Sequence, residues 1–172
     1  MNTFLWISTL ILTFCLMEFM AWFSHKYIMH GFLWYLHKDH HKKDHNSKFE
    51  RNDLFGVKYA AISIFFVVLW GELDFWYGLP IGIGIFLYGV AYFTVHDIFI
   101  HQRIKILRNI DNKYAKGLRR AHKIHHKHIG KEKGECFGML LVPRKYFKLE
   151  PFQLPLSQLQ TLYFRIYPHS YR

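Results

Sequence analysis

The sequence has no Lys or Arg before Lys26 and none between Lys58 and Arg103. A chain of 172 residues with a formal net charge of +11 that leaves such intervals bare has segregated its charge. The basic residues crowd into Lys26 to Lys58, Arg103 to Lys148 and the last few positions. The bare intervals are also the apolar ones, which is the pattern of membrane spans joined by basic loops. Cysteine is scarce: Cys15 and Cys136 stand far apart without a CxxC pair, which argues against a disulfide framework or a cysteine zinc site. A basic n-region and a small-residue cleavage site are missing around the first apolar segment, so it reads as a retained helix and not a signal peptide. No nucleic-acid motif accompanies the basic loops, and no nucleic-acid partner is expected. Contact with anionic lipid or an acidic partner protein accounts for them more economically.

What is present divides into apolar runs. Thr3 to Phe23 carries a single charge, Glu18; Val57 to Trp70 is short but extended by Leu54, Phe55 and Tyr59; Leu79 to Ile100 is the third. At ~1.5 Å per residue the third is long enough for a hydrocarbon core of ~30 Å. Gly71-Glu72-Leu73-Asp74 between the second and third runs is acidic and without a cation. The expected fold is all-α: an integral membrane helical bundle of three to four spans, a single domain over residues 1–172, with a cytoplasmic histidine-rich helical cap. The positive-inside rule sets both basic loops and the C-terminus on the cytoplasmic side and the turn at Asp74 on the far side. The stretch Phe147 to Tyr163 could lie against the bilayer, and the tail after Glu150 carries no readable signal.

Histidine departs most from background. Ten of the 13 fall into four groups with two alternating spacings. His25 and His30 form HxxxxH, and so do His96 and His101. His37, His40 and His41 form HxxHH, and so do His122, His125 and His126. On a helix the i, i+3, i+4 spacing of HxxHH puts three imidazoles on one face, pointing together. The i, i+5 partners of HxxxxH lie roughly 140° apart on an α-helix and flank a sector. Asp97 falls inside that sector, open to reading as a ligand or as an orienting carboxylate. Lys26 falls in the same sector between His25 and His30, where no metal welcomes it, so the angular argument carries little weight. The topology, inferred from Lys and Arg alone, brings all four groups to one membrane face. Ten histidines exceed any single ordinary site; over two metals they give about five each, with one position of an octahedral shell left open. All-imidazole donors suit iron, zinc or copper, and no Glu-x-x-His pair of the soluble di-iron bundles occurs. His45, His128 and His169 lie outside the pattern and read as solvated surface histidines, although His45 continues the i+4 row after His37 and His41.

At these residues the chain resembles a known family. HKYIMH, HKDHH, HDIFIH and HKIHH resemble the histidine boxes of the bacterial β-carotene hydroxylases, within the membrane fatty-acid hydroxylase and sterol desaturase superfamily. The likeness includes MEFMAWFSHKYIMHG (Met17 to Gly31), FERNDLFGVKYA from Phe49, GVAYFTVHDIFIHQR (Gly89 to Arg103), LRRAHKIHHKHIG (Leu118 to Gly130) and Phe137-Gly138 leading to Val142-Pro143. It covers roughly residues 17–147. It implies an oxygen-dependent di-iron monooxygenase of a bacterial inner membrane, its two iron ions held by the ten box histidines, with zinc as an adventitious substitute. The implied substrate is a carotenoid in the bilayer, β-carotene, hydroxylated at C3 of the β-ionone ring to β-cryptoxanthin and then zeaxanthin. The implied electron source is a ferredoxin-type donor with its reductase.

Other residues have competing readings. Asn52 and Asp53 precede an apolar helix and read most simply as its N-cap. Asp39 faces away from His37, about 200° around a helix, and reads as a solvated surface acid. Tyr92, Phe93 and Phe99 line either a tunnel for a polyene or an interfacial aromatic layer. Gly82, Gly84 and Gly89 read as surfaces for close helix packing, with a substrate groove second. Glu18 is a functional-site candidate by its cost inside a span. Two rival functions remain: a sterol or fatty-acyl hydroxylase or desaturase of the same superfamily, and a histidine-rich metal transport or sensing protein. The latter would want its ligands along a path through the membrane.

Overall fold

A computed structural model of the protein describes residues 2–147. Within them all regular structure is helical, in the order α1 (Thr3–Phe23), a π-helical segment (Ser24–Phe32), α2 (Trp34–His41), α3 (Asp53–Leu73), α4 (Gly78–Phe93), a second π-helical segment (Thr94–Ile100), α5 (Lys113–Lys127) and a 3-10 turn (Arg144–Phe147). Residues 148–172, and with them His169 and the stretch proposed to lie against the bilayer, fall outside the described residues.

Among the described residues three helices are long and apolar enough to cross a membrane: Thr3–Phe32, Asp53–Leu73 and Gly78–Ile100. The second run is therefore longer than its uncharged core, since α3 starts at Asp53 and carries Lys58 within its first two turns. Its 21 residues span about 31 Å, enough to cross. Phe4, Leu12, Val57, Ile64 and Phe86 stand exposed on these helices, as expected of surfaces solvated by acyl chains and not by water. The 21 α-helical residues of α1 span about 31 Å and already match a hydrocarbon core of ~30 Å; His25 and His30 lie in the π-helical extension beyond them.

Helix α4 lies between α1 and α3 and packs on both. Gly84 faces α1, where a Cβ would sit 2.8 Å from Thr13 Cβ and 2.9 Å from the Leu10 carbonyl; Gly82 faces α3, where it would sit 2.8 Å from the Ser63 carbonyl. Only glycine permits these approaches, and Ser63 Oγ closes the second by donating to the Gly82 carbonyl at 2.7 Å. Gly89 differs from expectation: nothing lies within 4 Å of a Cβ built there, and it lines a cavity instead. Met17, Ile85 and Tyr88 form the buried centre of this bundle. Helix α5 is amphipathic, capped by the Asn112 side chain, which accepts from Ala115 N–H at 2.8 Å, and it buries Ala115, Leu118, Ala121, His122 and His125. Phe99 packs with Ala115 and Leu118 there, beneath the Arg119 guanidinium at 4.1 Å; it is a core residue and not part of a tunnel wall.

Glu18 has a structural task. Its Oε1 accepts from the backbone N–H of Met139, Leu140 and Leu141 at 3.0, 3.0 and 2.9 Å, and Tyr88 donates its hydroxyl to Oε2 at 2.7 Å. One buried carboxylate thus satisfies three amides of a segment with no ladder partners and ties it to α1 and α4. Replacing Glu18 with Leu is expected to leave those donors unsatisfied at ~1–3 kcal/mol each, seen as a lower melting temperature in detergent, with Glu18→Gln intermediate. A Glu18→Leu protein that melts with wild type would remove this role.

Candidate metal centre

The ten box histidines gather at one end of the bundle, and they do so as two sets. One potential ligand atom from each of His25, His30, His37, His41 and His125 lies within 4.8 Å of the others, and the same holds for His40, His101, His122 and His126. His96 joins the second set, its Nε2 3.1 Å from His40 Nε2. The sets abut: the His41 and His126 rings stack at 4.6 Å.

Two local rules produce this division. First, each HxxHH splits. The i, i+4 pair stays together while the i+3 residue crosses to the other set: His37 and His41 against His40 on α2, His122 and His126 against His125 on α5. The expectation that all three imidazoles of a box point together is corrected. Residues four apart sit one above the other, whereas the i+3 residue lies to the side, and here the side faces the second set. Second, each HxxxxH stays whole because its backbone is π-helical. A π-helix closes i→i+5 bonds, as the His101 N–H does on the His96 carbonyl at 2.9 Å, so residues five apart come into line. The rings of His25 and His30 are 5.3 Å apart and those of His96 and His101 4.6 Å, and the α-helical angle between such partners does not apply. Lys26 points elsewhere, its Nζ over the Trp22 and Tyr27 rings.

The hydrogen bonds determine which nitrogens face inward. In the first set Nδ1 of His25, His30, His41 and His125 each meets a backbone carbonyl at 3.0 Å, of Phe137, Lys131, His128 and Glu135 respectively. His37 Nδ1 meets Asn52 Oδ1 at 2.7 Å. A carbonyl oxygen only accepts, so Nδ1 carries the proton and Nε2 of the neutral ring is a bare lone pair. These lone pairs face one another at 3.1–3.3 Å: His25 to His37, His30 to His41 and His125, His41 to His37 and His125. No proton lies between them, and such an arrangement is one that a shared cation could hold. In the second set His40 Nδ1 donates to Glu50 at 2.8 Å and His96 Nδ1 to Asp97 at 3.1 Å, while His101 and His122 bring their Nε2 atoms to 2.8 Å. His126 Nε2 is buried with no hydrogen-bond partner. Both donor sets fit a metal that accepts imidazole nitrogen; orienting acceptors stand behind all five histidines of the first set and behind His40 and His96 of the second.

Burial keeps the imidazoles neutral. Desolvation, followed mainly by the charges of neighbouring histidines, pushes His126 down to about 2 and His101 to about 3; it lowers His41 to about 4 against the backbone bond from its Nδ1. His40 and His122 fall well below the ordinary histidine value for the same reasons.

Several expected roles change. Asn52 and Asp53 stand at the start of α3, but Asn52 makes no side-chain cap bond; its amide orients His37. Asp53 accepts from Glu50 N–H at 3.0 Å and pairs with Arg103 at 2.9 Å. Asp97 lies outside both donor sets, on the Nδ1 side of His96. Asp39 faces away from the histidines but is fully buried, accepting from Arg51 N–H at 2.8 Å and pairing with His45 at 3.2 Å; it braces the loop after α2 and is not a solvated acid. His45 is half-buried by that contact and joins neither set. His128 contributes its carbonyl, not its ring. Glu50 and Arg103 escaped sequence reasoning; their only signal was their place at the edges of two of the stretches that carry the family likeness.

Beside the second set lies an apolar cavity of about 590 Å³ between α1, α3 and α4. Met17, Phe55, Ile85 and Phe93 line its walls, and His96, Asp97 and Arg103 its polar end. Tyr92 also lines it, stacked on His96 at 5.0 Å.

The family model for fatty acid hydroxylases matches residues 10–143. The chain is 41% identical over 161 residues to a β-carotene hydroxylase of Pantoea ananas, covering 91% of this chain and 84% of that one. It is 38% identical over 136 residues to a β-carotene hydroxylase of Paracoccus sp., covering 76% and 80%. It is 33% identical to β-carotene 3-hydroxylase 2, chloroplastic, of Arabidopsis thaliana, over 75% of this chain and 43% of that one. No solved structure matches.

Because the folded histidines titrate below the unfolded value of about 6.5, the unfolded chain binds more protons between the two values. The clusters' stability is complete above about pH 6.5 and is lost progressively as pH falls through the folded values of about 4, 3 and 2. Metal-free protein in micelles is expected to melt progressively lower from about pH 7 to pH 5, and a flat profile would count against buried neutral imidazoles.

Proposed function

The chain belongs to the fatty acid hydroxylase family, and from that premise we propose that it is an oxygen-dependent di-iron monooxygenase that hydroxylates C3 of the β-ionone rings of β-carotene, giving β-cryptoxanthin and then zeaxanthin. The observation that carries the metal reading is the inward set of bare Nε2 atoms, whose Nδ1 protons are committed to carbonyls. The printed names of the relatives carry the substrate.

Each histidine set would hold one iron, and the pair would supply the oxygen activation that a saturated ring carbon demands, since no side-chain base removes hydrogen from an unactivated C–H bond. One oxygen atom enters the C–H bond and the other leaves as water, consuming two electrons and two protons. The protein's own work is placement. The cavity, apolar and open on one side, would accept an apolar ring from the bilayer level, and its polar end would bring that ring beside His96. Asn52, Glu50 and Asp97 hold their imidazoles in the tautomer that leaves Nε2 free. A ferredoxin-type donor with its reductase would supply the electrons, docking by charge on a basic cytoplasmic face. The positive-inside pattern supports a bacterial inner membrane with the histidine sets inside. Collection of the donors at one end of the bundle disfavours a transport path.

His40→Ala, His41→Ala removes one donor from each set. In a carotene-accumulating host, wild type is expected to convert β-carotene to zeaxanthin and the double variant to retain less than about a hundredth of that activity, beyond the ~10–100-fold cost of losing an orienting partner. Pigment chromatography reads both. Unchanged β-carotene with wild-type protein in the membrane and a compatible donor present would overturn the carotene assignment.

A further inference from the structure

The two histidine sets are oriented by different chemistry. In the first, all five Nδ1 atoms meet neutral oxygens: four backbone carbonyls and the Asn52 amide. In the second, His40 and His96 meet carboxylates, those of Glu50 and Asp97. Both carboxylates are gripped by one guanidinium. Arg103 Nη2 lies 2.7 Å from Glu50, Nε 3.2 Å from Asp97, and Nη1 2.9 Å from Asp53. Without Arg103 three carboxylates would converge on one another; its planar fork holds each at a fixed place, which a lysine cannot reproduce. The same end of the molecule meets the cavity, where His96 is the one box histidine among the lining residues.

We propose that the two metal positions are unequal by construction, with Arg103 as a positioning residue acting through Glu50 and Asp97 on the position that faces the cavity. This rests on the di-iron reading above. A carboxylate accepting from Nδ1–H draws the proton towards itself and makes the imidazole a stronger donor than a carbonyl does. The iron held by His40 and His96 therefore favours the oxidised state, and in a one-electron-oxidised protein the ferric ion sits there, beside the substrate's place. The iron held by His25, His30, His37, His41 and His125 stays ferrous. A selective driver of that difference is the charge on two second partners and not the number of ligands, since each set supplies five imidazoles.

The test uses full-length protein in detergent micelles loaded with ⁵⁷Fe(II), with iron counted per chain and Mössbauer spectra taken reduced and after one-electron oxidation. Wild type is expected to bind two irons that give two doublets of equal area, one alone turning ferric. Arg103→Gln should move the doublet of the oxidisable iron and leave the other in place, with Arg103→Lys restoring it only in part. Asn52→Asp, which puts a carboxylate on His37, should move the other doublet alone. Iron release to a ferrous chelator should be biphasic, with Arg103→Gln accelerating one phase by about 10–100-fold. If Arg103→Gln fails to fold, Glu50→Gln is read in its place. Two irons that give a single doublet, or two doublets that shift together in Arg103→Gln, would overturn the inequality while leaving the di-iron reading standing. Fewer than two irons in wild type would overturn both.

Discussion

Much of this molecule is arranged around lone pairs that face one another. Five Nε2 atoms at 3.1–3.3 Å with no proton between them are mutually repulsive until a cation joins them. They are held there because each Nδ1 proton is committed to an oxygen on the outer side. Four of those oxygens are backbone carbonyls between His128 and Phe137. A segment without regular structure therefore sets the tautomer of the site, and its position must be fixed by something other than a hydrogen-bonded ladder.

Glu18 supplies that fixation. Three successive amides, Met139 to Leu141, converge on its carboxylate immediately after the segment that orients the histidines. An acid inside a span is costly, but here its charge is met by backbone donors and the Tyr88 hydroxyl. The close glycine contacts of α4 with α1 and α3 bring Tyr88 within reach, so helix packing in the bilayer, loop position and imidazole orientation form one connected arrangement. The apolar cavity occupies the space that this packing leaves beside His96.

The two π-helical segments join span to cap. Each falls where a span ends, and each carries an HxxxxH pair. Widening the winding at that point brings residues five apart into line at the emerging end of the helix, so a spacing ill suited to an α-helix becomes a pair of converging donors. The HxxHH boxes lie on ordinary α-helix and divide between the two sets instead.

The sequence by itself determined the helical class, the three apolar spans and the gathering of the ten box histidines at one end of the bundle, because these depend on composition, hydropathy and charge along the chain. It also marked Glu18 as a functional-site candidate by its cost inside a span and Asp97 as a ligand or orienting carboxylate. Only the tertiary structure decided which donor joins which set, that Asn52, Glu50 and Arg103 orient them, that Gly89 and Tyr92 line a cavity while Phe99 does not, and that Asp39 is buried. The reason is physical. Spacing arguments assume α-helical winding, which fails where the backbone turns π-helical. The orienting partners lie as far as 112 residues away in sequence, as Phe137 does from His25, and no local periodicity carries information across that distance.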